Sequence, residues 1–459
     1  MKAISLQKVA EVCGGTYVGP AEDLEKCITG VQIDSRKVSA GDLFVAIPGE
    51  RVDGHDFVAG VLEKGAIAAL CQREPEGVLA GYILVESTVT AMQALASYYR
   101  EWIDVKVVGI TGSVGKTSTK EMIAAVLGVK YPVLKTEGNF NNGIGLPLTI
   151  FRIEPEHQVA VLEMGISDFG EMHMLAGMAQ PDICVITNIG MCHLENLKTR
   201  DGILKAKTEC FAHLRPSGAV VLNGDDDKLS QVVQVAGEKP VFYGISGKSL
   251  CETDIWADQI VDEGLDGMTM VLHSGQDACK VSEPIPGAHN VYNVLAAAAV
   301  ARQLGMSLEE IAIGASRAAT ISGRTNLIHA KGITVIDDCY NANPVSMRAS
   351  LDVLSTAKGR KIAVLGDMGE LGKEERKLHY EVGEYAGHCP IDLLFCVGTL
   401  AEEIVKGAKA SNPNLPVVYE IKKEAMIPKL LPVLQEQDTV LVKASHFMEF
   451  TSVVKALTE

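Results

Sequence analysis

The sequence has no long hydrophobic run, no paired cysteine motif and no excess of positive charge. Nowhere does an apolar run approach the roughly 18 residues that a membrane-spanning helix needs, so we expect a cytoplasmic protein without membrane insertion. The eleven cysteines include no C-x-x-C pair, which disfavours a zinc site or a disulfide framework. A net charge of −16 argues against nucleic-acid binding, which needs a cationic surface.

Length and apolar pattern predict an α/β protein of three domains. At 459 residues, 47% of them hydrophobic, the chain is too long for one ordinary core. Short strands and helices alternate in residues 1–104, which predicts a small mixed α/β domain. Residues 105–322 have buried-type strands separated by helical segments, which is typical of a mostly parallel sheet. A second doubly wound, Rossmann-like unit is predicted for 323–459, with a hinge at 320–323.

The most specific short motif is a loop that lies between a predicted strand and a predicted helix, Thr111-Gly112-Ser113-Val114-Gly115-Lys116-Thr117. Two glycines let backbone N–H groups point at phosphate oxygens, and the helix adds its positive end. We expect Lys116 to meet the β- and γ-phosphates and Thr117 to bind magnesium. The alternative is a glycine-rich turn that caps an ordinary helix. No Asn-Lys-x-Asp tetrapeptide is present, which favours ATP over GTP.

Three more side chains are candidates for the chemistry near bound phosphates. Glu163 and His193 follow predicted strands, where ligand-binding residues of α/β sheets collect, and together they could hold a second magnesium ion. The alternative is a solvated strand end and a hydrogen-bonded histidine. Lys207 lies in a charged segment of a predicted helix, which by itself is more typical of a solvent-facing surface.

Further motifs extend this pattern along the chain. They are Asp34-Ser35-Arg36-Lys37, Asp53-Gly54-His55-Asp56-Phe57, Asn139-Phe140-Asn141-Asn142, Glu163-Met164-Gly165, Asn188-Ile189-Gly190, His193-Leu194-Glu195, Ala206-Lys207, Gly323-Arg324, Asp337-Asp338-Cys339-Tyr340-Asn341-Ala342-Asn343-Pro344 and Gly366-Asp367-Met368-Gly369-Glu370-Leu371-Gly372. Together they resemble the Mur ligase family over essentially the whole chain.

The resemblance implies an ATP-driven, ADP-forming ligase of peptidoglycan precursor synthesis that uses ATP, two Mg²⁺ ions and a carbamylated Lys207. The third-domain motifs favour the member that joins D-alanyl-D-alanine to UDP-N-acetylmuramoyl-tripeptide through an acyl phosphate, and we expect a monomer. Rival readings are a relative that adds diaminopimelate, lysine or L-alanine, a folylpolyglutamate synthetase, or an ATP-hydrolysing switch. Whether the third tripeptide residue is lysine or diaminopimelate stays open.

The resemblance also implies a role for each matching residue. Lys116, Lys207 and His193 are catalytic candidates, and the metal candidates are Thr117, Glu163, His193 and carbamylated Lys207. The ATP-binding candidates are the loop Thr111 to Thr117, Asn290, Asn293, Arg324 and Asp338. The substrate-binding candidates are Ser35, Arg36, Asn139, Asn142, Tyr340, Asn341 and Asn343. Asn290 has a plain alternative as a helix cap.

Three departures from the family pattern are present. Thr199 occupies a stretch that usually contains serine. Cys339 stands where the family usually has serine, and Lys443-Ala444-Ser445-His446 replaces the usual Lys-Gly-Ser-Arg. A neutral histidine at position 446 does not supply the fixed charge and the fork of donors of an arginine.

Overall fold

The computed structural model describes residues 1–49 and 52–459. Four β-sheets are present, of which three are large and follow one another along the chain. No helix among the described residues is long and apolar enough to cross a membrane. The predicted α/β architecture is confirmed.

The N-terminal sheet has five short strands, four of them parallel. In spatial order they are Thr16–Val18, Tyr82–Leu84, Ala68–Cys71, Asp42–Val45 and Gly30–Gln32. A separate two-stranded sheet pairs Ile4–Ser5 with Cys27–Ile28. The α-helices of this part are Leu6–Cys13, Val58–Glu63 and Thr88–Trp102.

The last of these helices is attached to the central sheet through a buried arginine. Arg100 has no exposed surface, and its guanidinium donates to the carbonyl oxygens of Ala179 and Gln180 at 2.8 and 2.9 Å and to a carboxylate oxygen of Asp182 at 2.9 Å. Burial lowers the pKa of Arg100 to about 10. The group stays charged at neutral pH because Asp182 and the two carbonyls replace its hydration.

The central sheet has nine strands, and the seven that the chain enters first are parallel. In spatial order the strands are Asp277–Glu283, Met268–Ser274, Ile255–Asp262, Val241–Ile245, Ala219–Asn223, Ile183–Ile186, Lys106–Thr111, Val159–Glu163 and Val133–Lys135. The antiparallel pairing at one edge was not predicted, because alternating half-exposed residues give a weaker signal than buried parallel strands. The helices are Lys116–Leu127, Gly145–Phe151, Glu171–Ala179, Leu194–Leu197, Arg200–Thr208, His289–Gln303 and Leu308–Ser316.

The C-terminal sheet has six strands, of which only the first two along the chain pair antiparallel. In spatial order they are Asn326–Ala330, Ile333–Asp337, Thr439–Lys443, Lys361–Gly366, Leu393–Val397 and Val417–Glu420. Its helices are Pro344–Thr356, Glu375–His388, Ala401–Ser411, Lys423–Leu430 and Thr451–Thr458. Separate apolar cores cover its two faces, as in a doubly wound unit.

Candidate active site

The phosphate loop lies between strand Lys106–Thr111 and helix Lys116–Leu127. Gly112 and Gly115 have φ angles of 149° and 83°, which residues other than glycine rarely adopt. A Cβ atom on Gly112 would lie 1.9 Å from the hydroxyl of Thr187. Glycine at position 112 is therefore required by the neighbouring strand as well as by the backbone angle.

Side chains beyond the loop hold it in shape. Asn188 Oδ1 accepts a hydrogen bond from the Val114 N–H at 3.0 Å, and the Thr187 hydroxyl donates to the Val114 carbonyl at 2.7 Å. Lys116 Nζ folds back and donates to the Gly112 carbonyl at 3.0 Å. The loop is thus preorganised, with an ammonium group above it, which is the arrangement that binds nucleotide phosphates.

A cavity of about 760 Å³ extends from this loop to the C-terminal sheet. Most of the predicted site residues line it: Ser113, Val114, Gly115, Lys116, Thr117, Asn139, Asn142, Glu163, His193, Asn293, Arg324, Asp338, Tyr340, Asn341 and Asn343. The remaining predicted residues do not line it: Ser35, Arg36, Thr111, Gly112, Lys207 and Asn290. Residues from two sheets thus surround one space large enough for a nucleotide and a second ligand.

Glu163 is a buried carboxylate with one unused oxygen, so the solvated strand end considered above is wrong. Its side chain is 2% exposed. Oε1 accepts from Asn141 Nδ2 at 2.9 Å, whereas Oε2 has no hydrogen-bond partner within residues 1–49 and 52–459. A buried carboxylate oxygen without a partner is costly unless a ligand completes it.

These donors fit a magnesium ion. The free oxygen of Glu163 and the hydroxyl of Thr117 belong to residues on the same cavity, and Mg²⁺ prefers oxygen ligands from one or two protein groups, with phosphates and water completing its shell. No cluster of three or more His, Cys, Asp or Glu side chains suited to a metal occurs in the described part of the chain. The protein therefore supplies too few such ligands for a closed metal cage, as expected for an ion shared with a nucleotide.

Lys207 is buried, although the charged segment around it suggested an exposed surface. Its exposure is 1%, and its side-chain amine makes no hydrogen bond or ion pair with any described residue. Burial, aided by the charge of Lys116, lowers the pKa of Lys207 to about 7. Its amine is therefore neutral in a large fraction of molecules at neutral pH, while Lys205 on the same helix is exposed.

His193 lies where the central domain meets the C-terminal domain. Its backbone is left-handed, with φ of 50°. Its Nδ1 lies 3.0 Å from Oε2 of Glu370, which belongs to the loop after strand Lys361–Gly366 of the C-terminal sheet. Burial lowers the pKa of His193, and the charges of Lys116 and Lys207 act in the same direction against the opposing effect of Glu370. The ring is thus biased toward the neutral form, which is the form that binds metals.

Asn290 and Asn293 connect helix His289–Gln303 with the phosphate-loop helix. Thr119 Oγ1 donates to Asn293 Oδ1 at 2.8 Å, Asn293 Nδ2 donates to Asn290 Oδ1 at 2.7 Å, and Asn290 Nδ2 donates to the Pro286 carbonyl at 2.8 Å. Asn290 lies inside the helix rather than at its cap, so the capping alternative is wrong. Asn293 lines the cavity and Asn290 supports it from behind.

Arg324 is the residue of the C-terminal region that reaches the phosphate loop. Its Nη2 donates to Thr117 Oγ1 at 3.4 Å, and its guanidinium lies 4.2 Å from the ring centroid of Tyr340. The ring of His446 packs against that tyrosine with a centroid distance of 5.5 Å. Arg324 Nε is buried and has no partner in the described part of the chain, so donors remain for a phosphate group.

Asp338 is held by a buried polar network that the sequence did not reveal. Lys443 Nζ donates to Asp338 Oδ2 at 2.6 Å, and Ser350 donates to the same oxygen at 2.5 Å. The N–H of Thr325 donates to Oδ1 at 3.2 Å. Lys443 and Asp338 are both buried. The network fixes one carboxylate on the cavity wall.

Several asparagines of the site also have local structural roles. Asn343 caps helix Pro344–Thr356 in a capping box with Ser346. Asn142 Oδ1 accepts from Ile144 N–H and Gly145 N–H at the start of the next helix. These bonds use the side-chain oxygens and leave amide N–H groups for a ligand. Asn139, Tyr340 and Asn341 also line the cavity.

Ser35 and Arg36 lie in the N-terminal domain. Arg36 pairs with Asp34 at 2.8 Å, and its side chain is 86% exposed. The Ser35 carbonyl accepts from Lys64 Nζ at 3.0 Å. Their substrate-binding role stays a prediction.

Three residues of the site were missed by sequence reasoning. They are Asn141, Lys443 and Glu370, which all lie within motifs of the sequence but had no predicted role. Only the fold shows that Asn141 contacts Glu163. Lys443 and Glu370 contact Asp338 and His193 from strands and loops far away in sequence. No local pattern could have revealed these pairings, because each joins separate elements of the fold.

A preorganised phosphate loop in the central unit, facing an arginine and an aspartate of the C-terminal region across one cavity, defines a multidomain nucleotide-dependent enzyme. The family descriptions agree along the chain. The Mur ligase middle domain matches residues 110–301, the Mur ligase glutamate ligase domain 323–446 and the Mur ligase catalytic domain 27–100.

Full-length relatives and solved structures give the same result. UDP-N-acetylmuramoyl-tripeptide–D-alanyl-D-alanine ligase of Bacillus subtilis is 36% identical over 99% of this chain and 98% of its own. MurF from Acinetobacter baumannii has a TM-score of 0.90 at 32% identity, covering 100% of this chain and 99% of its own. MurF from Thermotoga maritima in complex with ADP has a TM-score of 0.81 at 30% identity, covering 93% and 96%. This chain belongs to the Mur ligase family, and it is an ATP-dependent, ADP-forming peptide ligase.

Proposed function

We propose that this protein joins D-alanyl-D-alanine to the carboxyl end of UDP-N-acetylmuramoyl-tripeptide in peptidoglycan precursor synthesis. The observation that carries the proposal is the single cavity in which the phosphate loop faces Tyr340, Asn341 and Asn343 of the C-terminal unit. The activated substrate and the incoming amine must meet in such a space. The names of the full-length relatives support the same substrates.

The reaction proceeds in two steps. The terminal carboxylate of the tripeptide attacks the γ-phosphorus of ATP, and the bond to the β-phosphate oxygen breaks to give an acyl phosphate and ADP. The amine of the dipeptide then attacks the acyl carbon, and inorganic phosphate leaves as the amine loses a proton. No protein nucleophile is needed, so positioning and charge stabilisation supply the catalysis.

Different residues of the cavity have different roles in this reaction. The loop from Thr111 to Thr117 binds the phosphates, and Lys116 offsets charge that develops on the γ-phosphoryl group. Arg324 approaches the same group from the other domain, with an unpartnered Nε. Asn293 binds the adenine and Asp338 the ribose. Magnesium held by Thr117 and Glu163 supplies further charge neutralisation when bound.

Lys207 carries a carbamate in the working enzyme. Its neutral amine reacts with carbon dioxide to form the carbamate and release a proton. The carbamate places oxygen donors where the unmodified lysine has an unpaired amine. Together with His193, these oxygens provide ligands for a second magnesium ion. The lowered pKa of about 7 supports this step, because only the neutral amine is nucleophilic.

The outer domains supply the two remaining substrates. Residues 1–104 bind the UDP-sugar with Ser35 and Arg36, residues 105–322 bind ATP, and residues 323–459 bind the dipeptide. Asn139 and Asn142 of the central domain contact the peptide substrate. We propose a cytoplasmic monomer. All eleven cysteines are free, which suits a reducing compartment.

The test is release of ADP with ATP and UDP-N-acetylmuramoyl-tripeptide, with and without D-alanyl-D-alanine, with mass spectrometry of the product. We expect dipeptide-dependent release and a matching gain in mass. Supplying tripeptides that end in lysine or diaminopimelate identifies the preferred third residue. Turnover that ignores both peptides would instead indicate an ATP-hydrolysing switch.

A further inference from the structure

In the described part of the chain, one side chain lies within hydrogen-bonding distance of the His193 ring, and it comes from the C-terminal domain. Nδ1 of His193 lies 3.0 Å from Glu370 Oε2. No other side-chain contact of His193 within hydrogen-bonding distance occurs among residues 1–49 and 52–459. The second ring nitrogen, Nε2, is therefore free to meet a ligand in the cavity that His193 lines.

Glu370 lies in a loop that is anchored by two hydrogen bonds just before it. The N–H of Met368 donates to buried His379 at 2.8 Å, and the N–H of Gly369 donates to Ser445 at 2.9 Å. Glu370 itself has a left-handed φ of 62°, although its side chain is 70% exposed. Such a backbone conformation is costly outside glycine and often marks a functional site.

The opposing residue is strained in the same way. His193 has φ of 50°, so the contact joins two residues whose backbones are both unfavourable. An exposed ion pair alone contributes little stability and would not offset that cost. The surrounding structure therefore maintains the contact for a reason other than stability.

We propose that Glu370 is a positioning residue for the metal site of this ligase. Its carboxylate lies 3.0 Å from Nδ1 of His193, which favours the tautomer protonated at Nδ1 and leaves the Nε2 lone pair for the cavity. Histidines that bind metals commonly donate their other N–H to a carboxylate, and loss of that carboxylate typically weakens the metal about 10- to 100-fold. The inference rests on the metal role of His193 under the proposed function.

Glu370 links metal binding to the arrangement of the central and C-terminal domains. Because the carboxylate belongs to a loop of the C-terminal domain, the metal ligand is oriented only while the central and C-terminal domains are in the arrangement seen here. Metal affinity and domain position are then linked, and by reciprocity a bound metal stabilises that arrangement.

The experiment measures Mn²⁺ binding by electron paramagnetic resonance, in the full chain saturated with ADP and without peptide substrates. The variants are Glu370→Gln and His193→Ala. The matched control is Glu374→Gln, which removes an exposed carboxylate of the same loop that lies 3.6 Å from Lys377. A second readout is the ¹⁵N resonance pattern of the His193 ring, which reports its tautomer directly.

We expect Glu370→Gln to weaken one Mn²⁺ ion by about tenfold or more, to alter the tautomer pattern, and to leave the other ion unchanged. Glu374→Gln should bind both ions normally. If His193→Ala weakens an ion but Glu370→Gln does not, the positioning role of Glu370 is wrong while the metal role of His193 stands. If neither variant affects Mn²⁺, the proposed metal role of His193 fails first.

Discussion

Replacing Lys207 should abolish reaction with carbon dioxide at one defined position. An ordinary lysine with a pKa of 10.5 is neutral in roughly one molecule in three thousand at pH 7. The pKa of Lys207 is lowered from 10.5 to about 7 by burial and by Lys116, so about half of its amines are neutral at that pH. The concentration of the nucleophilic form therefore rises by about a thousandfold.

The assay is ¹³C nuclear magnetic resonance of the protein in ¹³C-bicarbonate. We expect one protected carbamate signal in the wild type and in Lys205→Ala, and none in Lys207→Ala. Lys205 is the matched control because it lies on the same helix but is exposed. The carbamate signal should grow as pH rises through about 7, since the neutral amine forms above the lowered pKa.

Ligase activity provides the second measurement. Lys207→Ala should lose most of kcat, while ATP binding through the phosphate loop is retained, because Asn188 and Thr187 rather than Lys207 hold that loop in shape. A wild-type protein with no carbamate at high bicarbonate, or a Lys207→Ala variant with normal kcat, would refute the reasoning.

Three further predictions concern buried groups. Lys443→Met should cost about 3 to 5 kcal/mol of unfolding free energy in urea titrations, because it leaves Asp338 buried without its 2.6 Å partner. Arg324→Lys should lower kcat/KM for ATP at least about tenfold without changing the KM for the UDP-peptide, because a lysine has no planar fork of donors; an unchanged kcat/KM would contradict the contact with Thr117. Burial raises the pKa of Glu283 from 4.5 to about 8, so its cost to stability is absent below pH 4.5 and grows as pH rises toward 8. Glu283→Gln should therefore stabilise the protein by about 3 kcal/mol at pH 7 and hardly at all at pH 4.5 in the same titrations.

Local sequence information was sufficient for much of the fold. The strand at 333–337 and the helix that begins near Asn290 were predicted from apolar periodicity, because a buried parallel strand or a buried helix leaves a continuous apolar signature. The antiparallel strands at Met268–Ser274 and Asp277–Glu283 were not predicted. Their outer faces are exposed, so their pattern resembles that of a loop.

The residues of the candidate site also differ in whether the sequence alone predicts their role. The phosphate loop was readable from sequence because its glycines, lysine and threonine are adjacent, and their chemistry depends on local backbone shape. The burial of Lys207, the free oxygen of Glu163 and the contact of His193 with Glu370 depend on which elements pack together. The sequence alone determined that this protein binds a nucleotide. Only the folded structure decided that Lys207 is the lysine with a neutral amine and that Glu370 is the carboxylate beside His193. The reason is that desolvation and long-range contacts arise only in the folded chain.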